Sequence, residues 1–294
     1  MLTNTRAERV RRVGRLSGRS SRLRHRQFLV EGPQGVREAV RHASPQVRDI
    51  YLTDDAAVRH PEIVEAARGS GLHVHEASPE VLDAMSQDAQ GVLAVLELPM
   101  TEPSPADLRA LRGGAGPRLV AVLARVTDPG NAGTVIRAAD AAGADAIVLA
   151  DGSVEVTNPK VVRATAGSLF HLPVITGVDL ADAIDTLRGC GSAVLAADGA
   201  GEWDLDDLLD RAVLAGLPGL DGAPDDLSAT SLVAPDLTAP VAWVFGNEAH
   251  GLSGDQLALC DAGVRVPIHG HAESLNLATA AAVCLYASAR AQRA

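Results

Sequence analysis

In the stretch DPGNAGTVIRAAD (residues 128–140), Arg137 is a permanent cation among small and apolar residues. Pro129, Gly130 and Gly133 permit a tight turn with close backbone approach. Asn131 suits a cap or turn position. Ala138, Ala139, Ala141 and Ala142 then make a thin helix that packs closely against a sheet or a second subunit. Arg137 falls one turn after Gly133, so its side chain can point back toward the turn. A guanidinium there suits a phosphate or another polar ligand. The plainer reading is a helix arginine reaching solvent. The turn lacks G-x-G-x-x-G, so it is not a dinucleotide fingerprint.

A second stretch, VAWVFGNEAHGLS (residues 241–253), ends an apolar run on Gly246-Asn247-Glu248. Strand ends followed by glycine are where open α/β sheets bind ligands. Glu248 is either a pocket-shaping acceptor or a helix N-terminal carboxylate. The third stretch runs from Val264 to Ala289 and places Ser274 and Asn276 at the start of another alanine-rich helix. His269 and His271 lie one residue apart with no clear third ligand, so they read as plain polar residues. His73 and His75 read the same way, and no metal is expected. Cys190, Cys260 and Cys284 are widely spaced and odd in number, which excludes a disulfide framework and points to a reducing cytoplasm.

These residues need elements to hold them. The runs LVAVLA, AIVLA, LPVITG, SAVLAA, VAWVFG and AGVRVPI are short and apolar, and most are separated by helical stretches. Strands without alternation are covered on both faces, hence a largely parallel sheet. Before them, FLVEG, VRDIYLT, GLHVHEA and QGVLAVLEL read as strands, and HPEIVEAARG and SPEVLDAM as helices. The expected organisation is a basic arm over 1–30, a small α/β domain over 27–98, a Pro/Gly-rich linker over 99–117, and a second α/β domain over 118–294. An acidic stretch at about 198–239, with Arg211 as its one cation, reads as a solvated insertion; a lid or an RNA-excluding wall is the functional alternative.

The net charge of −11 argues against a nucleic-acid partner until its distribution is considered. Residues 1–30 hold nine arginines against Glu8 alone. Such an arm suits phosphate contact, with Arg22, Arg24 and Arg26 as candidates; a frayed terminus or a targeting peptide has the same composition. The apolar helix from Leu275 to Ala289 is too short and polar to span a bilayer.

Taken together, N-x-G-x-x-x-R-x-A (Asn131, Gly133, Arg137, Ala139), F-G-N-E-x-x-G-L-S (Phe245–Ser253) and V-P-I-x-G-x-x-x-S-L-N (Val266–Asn276) resemble the signature motifs of the SpoU/TrmH-type RNA 2′-O-ribose methyltransferases of the SPOUT superfamily. The resemblance covers 119–294 apart from the acidic insertion. The stretches QFLVEG and GVLAVLE look like the small substrate-binding domain often fused in front, which is similar to an RNA-binding ribosomal protein.

The resemblance implies an α/β fold with a parallel sheet and a deep trefoil knot, S-adenosylmethionine as donor, and a homodimer. It implies Arg137 as catalytic residue, with Asn131 and Glu248 orienting it and Ser274 and Asn276 shaping the donor and ribose pocket. Donor contacts carry over to Gly246, Val266 and Leu275, with Ile268 and Leu277 beside them. Methionine often stands where this chain has Ile268, a mild apolar exchange. Ribosomal RNA is the expected substrate; transfer RNA, or RNA binding without catalysis, are the alternatives.

Overall fold

The computed structural model describes residues 1–98, 103–215 and 233–293. Residues 99–102 of the expected linker and 216–232 of the acidic stretch lie outside the described residues. Two compact units form: Met1–Glu102 with Glu155–His171, and Pro103–Val154 with Leu172–Ala294.

The N-terminal unit is built on strands β1 (Gln27–Glu31), β2 (Val47–Leu52), β3 (His73–Glu76) and β4 (Val92–Glu97), in the order β1-β4-β2-β3. The β4 pairings are antiparallel, and β2 pairs with β3 in parallel. The period-two geometry of strands divides their apolar residues between two cores. Phe28, Val30, Val92, Ala94 and Leu96 face the helix Pro33–His42 through Val36 and Val40. Leu29, Leu93 and Val95 face the opposite way, onto Val10, Val13 and Leu16.

Those last three residues belong to the stretch expected as a basic arm. It is folded: helices Glu8–Gly14 and Arg19–His25 cover one face of the sheet. The apolar positions of the first are three residues apart and turn inward, while its arginines stay outside. Glu155–His171, which follows β6 in sequence, also packs here. Val162 joins the core of the Pro33–His42 side, with Leu169 and Phe170 against it.

The C-terminal unit carries β5 (Leu119–Leu123), β6 (Ala146–Ala150), β7 (Val174–Val178), β8 (Ala193–Ala197), β9 (Trp203–Asp204), β10 (Val241–Phe245) and β11 (Ala262–Arg265). Their order is β7-β6-β5-β10-β8-β11-β9, and every pairing is parallel. β5, β6 and β10 are buried at every residue, as expected for strands covered on both faces.

β9 was not expected. It lies at the start of the acidic stretch, and the helix Leu205–Ala215 follows it directly. Leu205 and Leu208 are buried, Arg265 pairs with Asp204 at 3.2 Å, and Glu202 Oε1 accepts from the Gly263 amide at 3.1 Å. The described beginning of this stretch therefore edges the sheet instead of forming a solvated loop. Two residues are too few to show alternation, so the strand left no periodic signal.

The last helix, Leu277–Ala291, packs alongside the helix Pro129–Ala142. Alanines on both allow the close approach. Side-chain bonds then fix it: the Trp243 indole donates to Ser288 Oγ at 2.9 Å in the core, and Gln292 Nε2 donates to the carbonyls of Arg118 and Ala239 at 3.0 and 2.9 Å. Among the described residues no helix is long and apolar enough to cross a membrane.

Candidate active site

Because the strands are parallel, the loops after β5, β10 and β11 leave the same edge of the sheet. β5 and β10 are neighbours, and β11 lies one strand beyond β8, so the three sequence stretches converge at this edge.

The first loop becomes the helix Pro129–Ala142 at Asp128, whose Oδ1 accepts from the Asn131 amide at 2.7 Å. The cap is thus Asp128, which leaves the Asn131 side chain free for other bonds. Asn131 Nδ2 donates to Glu248 Oε1 at 3.4 Å. Glu248 also accepts from the backbone amides of Asp128, at 3.1 Å, and Thr127, at 3.5 Å. Asn276 caps the last helix through Oδ1, accepting from the Ala278 amide at 2.9 Å, and its Nδ2 donates to Asn131 Oδ1 at 3.0 Å. Glu248, Asn131 and Asn276 therefore form a chain of side chains tying all three loops together.

Asn247 was not singled out from the sequence, yet it supports this chain. Its Nδ2 donates to the Arg125 carbonyl at 3.1 Å and to Glu248 Oε2 at 3.3 Å. Arg125 holds φ at +58°, a left-handed conformation that costs a non-glycine residue about 1–2 kcal/mol. Such strain collects at functional sites. The sequence clue was the place of Asn247 in the F-G-N-E motif, next to Glu248. Gly246 is required by close approach: a Cβ there would lie 2.3 Å from the Gly251 carbonyl carbon. A cleft of about 310 Å³ opens beside the loop, lined in part by Arg125, Asp151, Asp179, Ser253 and Gln256.

Arg137 is exposed and makes no hydrogen bond or ion pair among the described residues. Asn131 and Glu248 do not bond Arg137: they spend their bonds on each other, on the Asn276 and Asn247 side chains and on loop backbone. Ser274 is likewise exposed and outside the network. Of the residues expected to touch the donor, Gly246 follows β10, Val266 and Ile268 follow β11, and Leu275 and Leu277 flank Asn276. Ile268 and Leu275 expose 39% and 36% of their surface, high for large apolar residues in a loop. His269 and His271 are exposed, and the nearest carboxylate to His269, Asp206, is 3.7 Å away.

Of the candidate RNA-contacting arginines, Arg24 and Arg26 are exposed. Arg22 is not available: it is 3% exposed, and its guanidinium bonds both oxygens of Glu155, at 2.9 and 3.0 Å, and the carbonyls of Leu16 and Ser17. It is a buried cation satisfied inside the N-terminal unit.

Residues 118–286 match the SpoU rRNA methylase family, and residues 29–101 match the RNA 2′-O ribose methyltransferase substrate-binding domain. The chain belongs to the SpoU family. A SpoU relative named as the 23S rRNA (guanosine(2553)-2′-O)-methyltransferase RlmP of Bacillus subtilis is 30% identical over 282 residues, covering 95% of each chain. The 23S rRNA (guanosine-2′-O-)-methyltransferase RlmB of Bordetella pertussis is 31% identical, covering 89% of this chain and 96% of its own. Among solved structures, the SpoU methyltransferase AviRb from Streptomyces viridochromogenes, in complex with the cofactor AdoMet, superposes with a TM-score of 0.75 at 28% identity over 98% of both chains. The AdoMet-bound rRNA methyltransferase from Sinorhizobium meliloti gives 0.74 at 26% identity, covering 98% of this chain and 97% of that one.

Proposed function

We propose that this protein, acting as a homodimer, methylates a ribose 2′-oxygen of ribosomal RNA with S-adenosylmethionine as donor. The observation that carries the reading is the Glu248–Asn131–Asn276 chain, which locks three loops at one sheet edge while leaving Arg137 exposed with no partner among the described residues.

The loop after β11 fits such a donor. Residues 267–275 make no backbone–backbone hydrogen bond among the described residues, so their amides and carbonyls remain available to a purine edge. Ile268 and Leu275 expose apolar surface beside them, suited to the faces of the ring. This loop and Gly246 would hold the donor, which when bound supplies an electrophilic methyl on a sulfonium sulfur.

The chain's own task is then to position the ribose and favour loss of its proton. A guanidinium has a pKa above roughly 12 and is not a ready base. Arg137 instead binds the phosphate next to the reacting ribose, and its fixed charge stabilises the developing alkoxide. The oxygen gains the methyl as the methyl's bond to the sulfonium sulfur breaks and the neutral thioether leaves, and the proton passes to water. Proton removal by a transiently neutral Arg137 is the alternative.

Exposed residues on the two packed helices support a dimer through this face. Thr134, Arg137 and Ala141 line the outer stripe of one, and Val283 and Tyr286 that of the other. Tyr286 is 53% exposed and Val283 40%, an apolar stripe beside Arg137 that a second copy would cover. Ribosomal rather than transfer RNA is favoured because the full-length relatives named above act on 23S rRNA.

The test is transfer of tritium from methyl-labelled S-adenosylmethionine to ribosomal or transfer RNA, followed by mapping of the modified nucleotide. Label in a 2′-O-methyl nucleotide of ribosomal RNA is expected. Label in transfer RNA alone moves the substrate, and binding of RNA with no label in either leaves a non-catalytic RNA-binding protein.

A further inference from the structure

Away from the loops of the active site, the N-terminal unit gathers three metal-competent side chains that methyl transfer does not use. Glu38 and His42 lie four residues apart on the helix Pro33–His42, so they share a face. His171, 133 residues from Glu38 in sequence, completes the group from the end of Glu155–His171. The Nε2 atoms of His42 and His171 lie 3.4 and 3.3 Å from the same oxygen, Glu38 Oε2. Ligand atoms about 2.0–2.1 Å from a tetrahedral zinc stand about 3.3–3.4 Å apart, so both spacings equal the edge of a zinc tetrahedron. All three ligand atoms lie within 4.8 Å of one another.

The surroundings fit a built site. Glu38 is largely covered, with 18% of its side chain exposed, while His42 and His171 reach it from the surface, with 48% and 29% of their side chains exposed. Arg41 reaches the other Glu38 oxygen, Oε1, at 3.5 Å and leaves Oε2 for a ligand bond. Outer contacts of this kind orient a coordinating carboxylate. The backbone of Gly167, with φ at +101°, presses on the Glu38 stem: a Cβ there would lie 2.6 Å from Glu38 Cγ. This close approach holds Glu38 and the returning chain at a set distance. The imidazole rings meet edge-on, with centroids 4.8 Å apart.

We propose that Glu38, His42 and His171 bind a zinc ion, with water as fourth ligand, that clips the segment Glu155–His171 to the helix Pro33–His42. Two nitrogens and one oxygen suit zinc far better than calcium or magnesium, which take oxygen ligands. The sequence did not reveal the set: Glu38 and His42 share a helix face, but the third member, His171, lies 133 residues from Glu38.

The test uses the metal-free full-length chain titrated with zinc chloride, read by calorimetry and by the unfolding midpoint. One equivalent of zinc and a raised Tm are expected. The His42→Ala/His171→Ala variant should bind zinc at least about tenfold more weakly and lose the Tm rise. The His269→Ala/His271→Ala variant should keep both. Cobalt chloride on the unaltered chain provides a reading that needs no variant: intense visible bands report tetrahedral coordination. Absence of stoichiometric zinc, equal binding by the His42/His171 variant, or a weak octahedral cobalt spectrum overturns the proposal and leaves Glu38 as an acceptor for its cationic neighbours alone.

Discussion

Asn276 Nδ2 donates to Asn131 Oδ1 at 3.0 Å across 145 residues of sequence, joining the N-terminal ends of the two helices that flank the site. Each of the two asparagines has a second task. Asn276 also caps its helix through Oδ1, and Asn131 also donates to Glu248.

Those tasks can be separated at Asn276. An Asn276→Asp variant keeps an oxygen for the cap and loses the Nδ2 donor. It should unfold close to the parent midpoint while methyl transfer falls by about tenfold or more. Asn276→Ala loses the cap as well, which costs about 1 kcal/mol. In a double-mutant cycle with Asn131→Ala the effects on kcat should be strongly non-additive, because the two residues act as one unit. Additive losses would show that the bond between them does not shape the site.

Arg137→Ala should lower methyl transfer by about a hundredfold or more while leaving the donor Kd within about twofold. Arg137→Lys keeps the charge without the planar fork and should recover only part of the rate. Retained turnover in the alanine variant would remove Arg137 from the reaction.

The pair Arg22–Glu155 makes a prediction about stability and pH. Burial alone pushes the Glu155 carboxyl up, but hydrogen bonds from Arg22 and Thr157 and the charges of Arg22 and Arg19 outweigh it, and its pKa lies below the usual 4.5. A lowered folded pKa stabilises the fold above the ordinary carboxylate pKa, and that contribution is lost as pH falls through the folded value. Glu155→Gln leaves the Arg22 charge buried without its partner and should cost about 3 kcal/mol at neutral pH. Denaturant unfolding should show the gap between parent and variant narrowing below about pH 4.5. A gap that is constant from pH 7 to pH 3 would contradict the assignment.

RNA affinity is predicted to depend on the exposed arginines of residues 1–26 and not on Arg22. Deleting residues 1–26 would also remove Val10, Val13 and Leu16 from the core, so weaker binding would not report charge alone. Arg12→Gln, Arg15→Gln and Arg24→Gln combined should leave the fold intact and weaken binding. The slope of log K against log salt should shrink by up to about 0.7–0.9 for each RNA phosphate that an arginine no longer neutralises. An unchanged slope places the RNA-binding surface elsewhere.

Much of this protein was legible in the sequence. Continuous apolar runs announced buried parallel strands, and every such run in the second unit is a strand of the parallel sheet. Alanines and glycines beside Arg137, Gly246 and Asn276 announced helices and turns that must approach one another closely. Three local motifs in the right order pointed to the family. Each of these signals is carried by residues adjacent in the chain or one helical turn apart, where pattern and chemistry coincide.

The tertiary structure decided what depends on residues far apart. It made Glu248 a partner of Asn131 and loop backbone instead of Arg137, and left Arg137 unpaired among the described residues. It buried Arg22 by supplying Glu155, although the sequence grouped that arginine with Arg24 and Arg26 as candidates for phosphate contact. It folded the basic stretch onto the sheet, gave the acidic stretch an edge strand, and brought His171 to Glu38. A side chain's type sets which bonds it can make. Which bonds it does make depends on the desolvation and geometry imposed by packing, and those follow from neighbours more than a hundred residues away in the chain.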